Sequence, residues 1–276
     1  MGRSGAHKLG RPMARERPGT RAPDFPDCPP GQTTGPPDLV GVGTQRAGTT
    51  WWWRGAIRSH PRFVRDVKPG KEVHFFDRFW GAEVPADLPA QYARHFPRPE
   101  GAITGEWTPR YMHDFWTLPL LRRCAPEARL LVMLRDPVDR YRSGIAREQA
   151  RAERIGDPIE IAVVGDAVYR SLYAAQLQRL FATYPRERVL VLQYERCLQD
   201  PMAEMRRTHE FLGLEPLGEM PADLERQVGR AREKLEITSE ARAELLARLA
   251  DDACRAAELC PEIDLSLWPN VSDSAR

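Results

Sequence analysis

Short apolar runs alternate with amphipathic stretches along this chain from about residue 38. The runs at 39–43, 129–134 and 188–193 are almost entirely apolar, which is typical of strands buried on both faces of a parallel sheet. Amphipathic stretches separate them and predict helices at 51–59, 114–124, 137–152, 166–183, 200–212 and 238–258. Buried strands that alternate with helices indicate a three-layer α/β/α fold with a central parallel sheet. Ligands of such sheets bind beyond the carboxyl ends of the strands.

Two further segments, 71–76 and 103–106, are predicted to be extended. Polar and apolar residues alternate in the first, so Glu72 and His74 are expected on one face with Phe76. A carboxylate and an imidazole at this spacing could form a proton-transfer pair, and partial burial would raise the pKa of Glu72. The alternative is a half-exposed edge strand whose polar residues simply face water.

The pattern also divides the chain. Residues 1–37 are rich in Gly, Pro and Arg without apolar periodicity, so we predict a disordered tail. A single catalytic domain is expected over 38–268, followed by a C-terminal tail over 269–276.

Composition and charge exclude several classes of protein. The net charge of the 276 residues is +2, which argues against a nucleic-acid binder. Residues 1–23 hold six basic side chains and one acid, so the remainder is mildly acidic and must attract any anionic ligand locally. No apolar run is long enough for a membrane span or a signal peptide. The five cysteines form no CxxC pair and no zinc-like spacing with His, so we expect reduced thiols, a cytoplasmic protein and no metal site.

A Gly- and Thr-rich loop, 43–50, joins the first buried strand to a helix. Its small residues let backbone N–H groups approach an anion, and Arg46, Thr49 and Thr50 add a charge and two hydroxyls. The glycine spacing is that of a P-loop, but Thr49 stands where a nucleotide kinase has Lys. We therefore predict a P-loop-like phosphate-binding loop without ordinary ATP hydrolysis; a plain turn is the alternative.

A second anion site is predicted at the end of the strand over 129–134. Arg135 follows that strand directly, and Ser143 lies about two helical turns further on. Asp136 and Pro137 are suited to the cap and first turn of the helix between them. Arg135 could instead form a structural ion pair with Asp136 or Asp139. Two anion sites at adjacent strand ends suggest a ligand with two separated phosphates.

In combination, these motifs resemble the sulfotransferase superfamily, whose donor is 3′-phosphoadenosine 5′-phosphosulfate (PAPS). The resemblance is closest to the heparan sulfate sulfotransferase branch and its bacterial relatives. It covers about residues 38–268, and the segments that carry it are 45–51, 71–77, 105–111, 134–143, 170–173, 194–201 and 211–214.

The resemblance implies transfer of a sulfuryl group to a hydroxyl acceptor without a metal. It implies that Glu72 is the general base, that Arg46 stabilises the leaving phosphate oxygen and that His74 assists. The implied donor-binding residues are Gln45, Arg46, Ala47, Gly48, Thr49, Thr50, Arg135, Ser143 and Arg230. Trp80, Trp107 and Asp77 fall near the implied acceptor side. In the donor loop, the family carries Lys at the position of Arg46.

The expected protein is therefore a cytoplasmic, bacterial sulfotransferase without a membrane span. Its acceptor would be a saccharide, a glycosylated metabolite or a similar small molecule. Two alternatives stay open: a nucleotide kinase with a degenerate loop, and a non-catalytic nucleotide-binding protein.

Overall fold

A computed structural model describes residues 27–64, 70–156, 158, 161–226 and 235–272. Its strands are β1 (Thr33–Thr34), β2 (Leu39–Gly43), β3 (Pro97–Arg98), β4 (Gly105–Trp107), β5 (Arg129–Leu134) and β6 (Val189–Gln193). Strands β2, β4, β5 and β6 form one parallel sheet in the order β4-β2-β5-β6. The three strongest apolar runs are thus strands of one parallel sheet, as predicted, and the structure places them side by side.

Helices cover both faces of the sheet. They are α1 (Thr49–Trp52), α2 (Leu88–Ala93), α3 (Thr117–Cys124), α4 (Pro137–Ile155), α5 (Ile161–Tyr169), α6 (Ala174–Thr183), α7 (Tyr194–Gln199), α8 (Pro201–Leu212), α9 (Ala222–Glu225), α10 (Ser239–Leu259) and α11 (Pro269–Ser272). A π-helical turn, Trp53–Ile57, continues α1. Within the described residues, no helix is both long and apolar enough to cross a membrane.

The sheet separates two apolar cores. Alternate residues of β5 face opposite sides: Leu130 and Val132 pack in the core that also contains residues of α3, α6 and α10, whereas Leu131 packs with residues of α1 and α8. Complete burial of such alternating side chains explains why the run has no polar position after Arg129. The three-layer α/β/α prediction is confirmed.

Two predicted elements differ in the structure. Residues 71–76 do not form a strand, because the amides of Val73, His74 and Phe75 bond to side chains, and His74 has a φ of 54°. The predicted helix over 166–183 is broken into α5 and α6 between Tyr169 and Ala174. At this break, the Asp252 carboxylate accepts hydrogen bonds from the amides of Tyr173 and Ala174.

Regular structure also extends past both predicted domain boundaries. Strand β1 lies within the expected N-terminal tail and pairs antiparallel with β3. Helix α11 lies within the expected C-terminal tail, where Val271 is buried and the amide of Asn270 donates to Asp136 Oδ2 at 3.1 Å. Residues 33–34 are therefore joined to the domain by strand pairing, and residues 269–272 pack against it.

Candidate active site

The loop after β2 turns sharply into α1. Gly48 has a φ of 91°, and a Cβ there would lie 2.5 Å from the Tyr194 ring, so a side chain would be both strained and obstructed. Thr49 then begins α1, whose first N–H groups lack partners within the helix. Ala47 is fully buried, so its side chain supports the loop from the core. This is the P-loop-like geometry that the sequence predicts.

A cavity of about 240 Å³ lies over this loop. Its lining combines the loop, the end of β5, the helix α4 and the segment that follows residue 70. The lining residues are Gln45, Arg46, Gly48, Thr49, Thr50, Trp51, Glu72, Pro109, Arg135, Ser143, Arg147 and Tyr194. The structure thus brings most of the expected donor-binding residues together with the expected base.

Arg46 and Arg135 both point to the second anion site. The Nε of Arg46 donates to the carbonyl and to the Oγ of Ser143, each at 3.1 Å. The Arg135 guanidinium lies 5.0 Å from the centre of the Tyr194 ring and donates through Nη1 to the Arg46 carbonyl at 3.3 Å. Its buried Nε has no hydrogen-bond partner among the described residues, so a donor remains for a ligand.

The alternative role of Arg135, a structural ion pair, has little support in the structure. Its Nη2 lies 3.9 Å from Asp139 Oδ2, at the limit of an ion pair. Asp136 has a different role, because its Oδ1 accepts from the amides of Val138 and Asp139 at the start of α4. The predicted cap is confirmed, and it fixes the start of the helix that carries Ser143.

Lys71 is a site residue that the sequence analysis missed. Its Nζ lies 2.9 Å from Thr49 Oγ1, 3.2 Å from Thr50 Oγ1 and 3.1 Å from Glu72 Oε1. The ammonium group therefore stands beside the loop hydroxyls, where Arg46 had been expected. The available signal was its position directly before Glu72, in a chain whose basic residues are almost all Arg.

Glu72, His74 and Asp77 form a hydrogen-bonded chain. His74 Nε2 lies 3.1 Å from Glu72 Oε2, and His74 Nδ1 lies 2.8 Å from Asp77 Oδ2. Hydrogen bonds to the two carboxylates raise the pKa of His74 to about 10. The imidazole is therefore a cation at neutral pH, held between two anions.

The pKa of Glu72 is lowered, which corrects the expected increase. Burial does oppose its ionisation, but the hydrogen bond from His74 and the charge of Lys71 outweigh that effect. Glu72 is consequently ionised at neutral pH and carries the lone pairs that a general base needs.

A buried network holds this segment in place. The Glu106 carboxylate accepts from the Val73 amide at 3.0 Å, from the Tyr92 hydroxyl at 2.6 Å and from the Tyr111 hydroxyl at 3.1 Å. The Thr108 hydroxyl accepts from the His74 amide, and the Tyr111 hydroxyl accepts from the Phe75 amide. Burial raises the pKa of Glu106. Three consecutive amides are thus fixed by side chains in and just after β4.

The residues expected on the acceptor side separate into two groups. Trp107 is fully buried over Gly41, and its indole donates to the Gly43 carbonyl at 3.0 Å, so its side chain belongs to the core and is not available to an acceptor. Trp80 is 62% exposed, and its ring centre lies 4.7 Å from that of Trp116. Asp77 bonds to His74 through Oδ2. Arg230, expected to bind the donor, lies outside the described residues.

A second cavity, of about 330 Å³, adjoins the first at Gln45, Arg46 and Arg147. Two carboxylates, Glu148 and Asp166, face it together with five arginines. These arginines are Arg46, Arg140, Arg147, Arg151 and Arg170. The excess of cations suits an acidic ligand. Across the described ranges, no three His, Cys, Asp or Glu side chains form a group that could hold a metal ion.

These features define an α/β protein with a P-loop-like anion-binding loop, and comparisons with known proteins agree. A model of the sulfotransferase family matches residues 86–218. The chain is 34% identical over 208 residues to heparan sulfate glucosamine 3-O-sulfotransferase 6 of Mus musculus, which covers 70% of this chain and 57% of that enzyme. The Homo sapiens enzyme of the same name is 33% identical over 212 residues, with 72% and 58% covered.

Solved structures extend the agreement to the fold. A sulfotransferase from Alicyclobacillus acidocaldarius superposes with a TM-score of 0.63 at 26% identity, covering 84% of this chain and 98% of that one. A sulfotransferase from Mycobacterium avium shares the fold, with a TM-score of 0.51 at 15% identity over 79% of this chain and 77% of that one. The chain belongs to the sulfotransferase family. It spans little more than half the length of the two curated relatives named above.

Proposed function

We propose that this protein transfers a sulfuryl group from PAPS to a hydroxyl of a saccharide acceptor. The observation that carries the proposal is the cavity of about 240 Å³ over the loop after β2. It joins the loop hydroxyls, the Arg135 site and the Glu72 carboxylate in one space. A donor with a phosphosulfate and a separate 3′-phosphate needs two cationic sites, and an acceptor hydroxyl needs a base beside one of them.

The residues present fit such a donor. Thr49 and Thr50, with the loop amides, would bind the 5′-phosphosulfate end. Arg135 and Ser143 would bind the 3′-phosphate, where the unpartnered Nε of Arg135 offers a charged donor. Arg46 would join the 3′-phosphate site, since its Nε already bonds to Ser143.

The reaction is an in-line displacement at sulfur. The acceptor oxygen forms a bond to sulfur while its proton passes to a carboxylate oxygen of Glu72. The bond from sulfur to the bridging oxygen breaks, and its electron pair stays on the 5′-phosphate of adenosine 3′,5′-bisphosphate. Alignment of the two reactants and stabilisation of the leaving charge supply most of the rate.

For the acceptor, we propose a hydroxyl on an acidic saccharide of the heparan sulfate type. Two observations support this choice: the sequence similarity to heparan sulfate glucosamine 3-O-sulfotransferase 6 and the arginine-lined cavity beside the loop. The exposed Trp80, which packs against Trp116, offers an aromatic surface against which a sugar ring could pack.

Calorimetry on the full chain tests the donor. We expect tight binding of adenosine 3′,5′-bisphosphate that is unchanged by EDTA, and weak binding of Mg-ATP. The second candidate, a phosphotransferase, has one observation in its favour, because Lys71 supplies an ammonium group beside the loop in place of the usual loop Lys. A preference for Mg-ATP in the same experiment would replace the sulfotransferase proposal with this one.

A transfer assay with labelled PAPS tests the acceptor. Heparan-type oligosaccharides should accept label, whereas their neutral, fully desulfated and carboxyl-reduced counterparts should accept much less. Equal labelling of the acidic and neutral sugars would remove the acidic acceptor from the proposal but leave the donor assignment intact.

A further inference from the structure

Lys71 reaches the phosphate-binding loop from a different part of the chain. Its side chain is only 12% exposed, and its Nζ is shared between the hydroxyls of Thr49 and Thr50 and the carboxylate of Glu72. Its own carbonyl accepts from the Trp107 amide at 2.6 Å, which fixes the backbone of Lys71 against β4. Contacts at the backbone and at the tip of the side chain therefore hold the Lys71 ammonium in place.

Arg46, by contrast, is directed to the other end of the cavity. The backbone at Arg46 has a φ of 70°, and its side chain bonds to both oxygens of Ser143. The loop thus carries its own cation toward the second anion site. The cation beside its hydroxyls is Lys71.

We propose that Lys71 is a catalytic residue that binds the 5′-phosphosulfate end of the donor and stabilises the oxygen that leaves with the 5′-phosphate. This inference rests on the proposed function. When the bond between sulfur and the bridging oxygen breaks, the electron pair remains on that oxygen, and the Lys71 ammonium donates a hydrogen bond to it. The acceptor proton goes to Glu72, so atoms and charge balance without a further reactant.

The chemistry of Lys71 suits this role. Burial lowers its pKa, so the ammonium shares its proton more readily with an anionic oxygen than an exposed lysine does. An arginine holds its protons much more tightly and is a poor proton donor in such a step. Lys71 is also the single lysine in the part of the chain that the structure describes, amid many arginines. The position therefore departs from the strong preference of this chain for Arg.

The site also couples donor and acceptor through Lys71. Glu72 bonds to Lys71 through Oε1 and to His74 through Oε2, so each oxygen of the base has a cationic neighbour. Once the ammonium turns to the donor, Oε1 becomes available for the acceptor hydroxyl. Removal of Lys71 should thus impair turnover more than ground-state binding.

Selective nucleotides test this assignment on the full chain. In Lys71→Met, affinity for adenosine 5′-phosphate should fall about 10- to 100-fold, as expected for the loss of a charged hydrogen bond, and affinity for adenosine 3′-phosphate should be unchanged. Arg46→Met should show the opposite pattern. Arg54→Met is the matched control, because Arg54 is an exposed cation near Lys71 that does not line the cavity, and it should change neither affinity.

Turnover supplies the second readout. Lys71→Met should lower kcat by about 10²- to 10³-fold. Lys71→Arg should retain nucleotide binding and recover only part of kcat. In Lys71→Ala, a small primary amine such as ethylamine should restore part of the lost rate, which a merely structural defect would not allow. Thermal unfolding of each variant identifies any that fails to fold, and Lys71→Gln, which keeps two N–H donors, then replaces Lys71→Met.

The outcomes separate this inference from the proposed function. If the parent protein binds adenosine 3′,5′-bisphosphate but Lys71→Met binds adenosine 5′-phosphate normally and turns over at the parent rate, the Lys71 assignment is overturned alone. Equal losses for both mononucleotides would also overturn it. If the parent protein prefers Mg-ATP, the proposed function fails first.

Discussion

At the scale of single residues, the site works by charge neutralisation at short range. Glu72 is an anion between two cations, and His74 is a cation between two anions. The sequence predicts that Glu72 and His74 meet, because they are two residues apart. It does not predict their protonation states, since these depend on Lys71, whose side-chain position follows from the docking of an irregular segment.

Glu72→Gln should lower turnover by about two to four orders of magnitude, because the amide cannot accept the acceptor proton. Binding of adenosine 3′,5′-bisphosphate should change little. The measurements are kcat with labelled PAPS and a calorimetric Kd. Glu127→Gln, at an exposed carboxylate that pairs with Arg188, serves as a control with normal turnover. Near-normal turnover of Glu72→Gln would transfer the role of base to another group.

His74 should remain protonated throughout the neutral range, because its pKa is raised to about 10. A raised pKa means that the folded protein holds this proton more tightly than the unfolded chain. The resulting stabilisation is complete below the ordinary histidine pKa of 6.5 and is lost as the pH rises toward 10. NMR of the imidazole nitrogens measures the titration directly.

The unfolding free energy gives an independent check on His74. The difference between the parent protein and His74→Gln should shrink between about pH 7 and pH 10. Asp77→Asn should lower the titration midpoint of His74, since it removes one of the two partners. A titration of His74 near neutral pH in the parent protein would contradict the structure.

At the scale of elements, the catalytic segment is held by its neighbours instead of by regular structure of its own. The alternation of polar and apolar residues in 71–76 predicts a strand, but Val73, His74 and Phe75 give their amides to side chains of 106–111. Strands β2, β5 and β6 are predictable because strands that are buried on both faces have nearly continuous apolar sequences. The position of 71–76 depends on a buried carboxylate about 30 residues away, and no local pattern reveals that contact.

Glu106→Gln should reduce kcat by roughly tenfold or more while leaving adenosine 3′,5′-bisphosphate affinity nearly intact, because misplacing a catalytic group is costly even without direct contact. The amide replaces one acceptor oxygen with a donor group, and the three N–H and O–H donors named above then cannot all be satisfied.

Tyr92→Phe is the matched control for Glu106→Gln. It removes one hydroxyl from the same carboxylate but leaves the Val73 anchor in place. A mild loss of stability and near-normal kcat are expected. If both variants lose turnover equally, the network acts through general stability and not through the position of the segment.

At the scale of the whole molecule, a net charge of +2 conceals a site with concentrated positive charge. The loop, the end of β5 and the second cavity bring cations together that the linear sequence spreads over more than 100 residues. Sequence motifs identify most of the loop and strand-end residues because these follow strands directly. The expectation that Trp107 lies on the acceptor side is wrong, because a motif position does not reveal whether an indole packs in the core or faces a ligand. A cytoplasmic location and a bacterial origin stay predictions.

Salt should affect the two cavities differently. Lys71 and Arg135 are largely buried, whereas Arg151 in the second cavity is 60% exposed, and exposed charges are screened more strongly. Raising NaCl from about 50 mM to about 500 mM should therefore raise the KM of an acidic acceptor more than the Kd of adenosine 3′,5′-bisphosphate. Parallel kinetics and calorimetry measure both. Equal responses would argue that the acceptor does not use the exposed arginines.

The contact between Asn270 and Asp136 has a consequence for synthesis. Asp136 caps the helix that carries Ser143, and its second oxygen is occupied by a residue 134 positions later in the chain. Nearby, the Trp268 indole donates to Glu195, whose other oxygen accepts from the Asp136 amide. A chain still on the ribosome, with only its first 260 residues emerged, has every loop residue and the base but not these contacts. The donor site therefore reaches its final form only after residue 270 has left the ribosome.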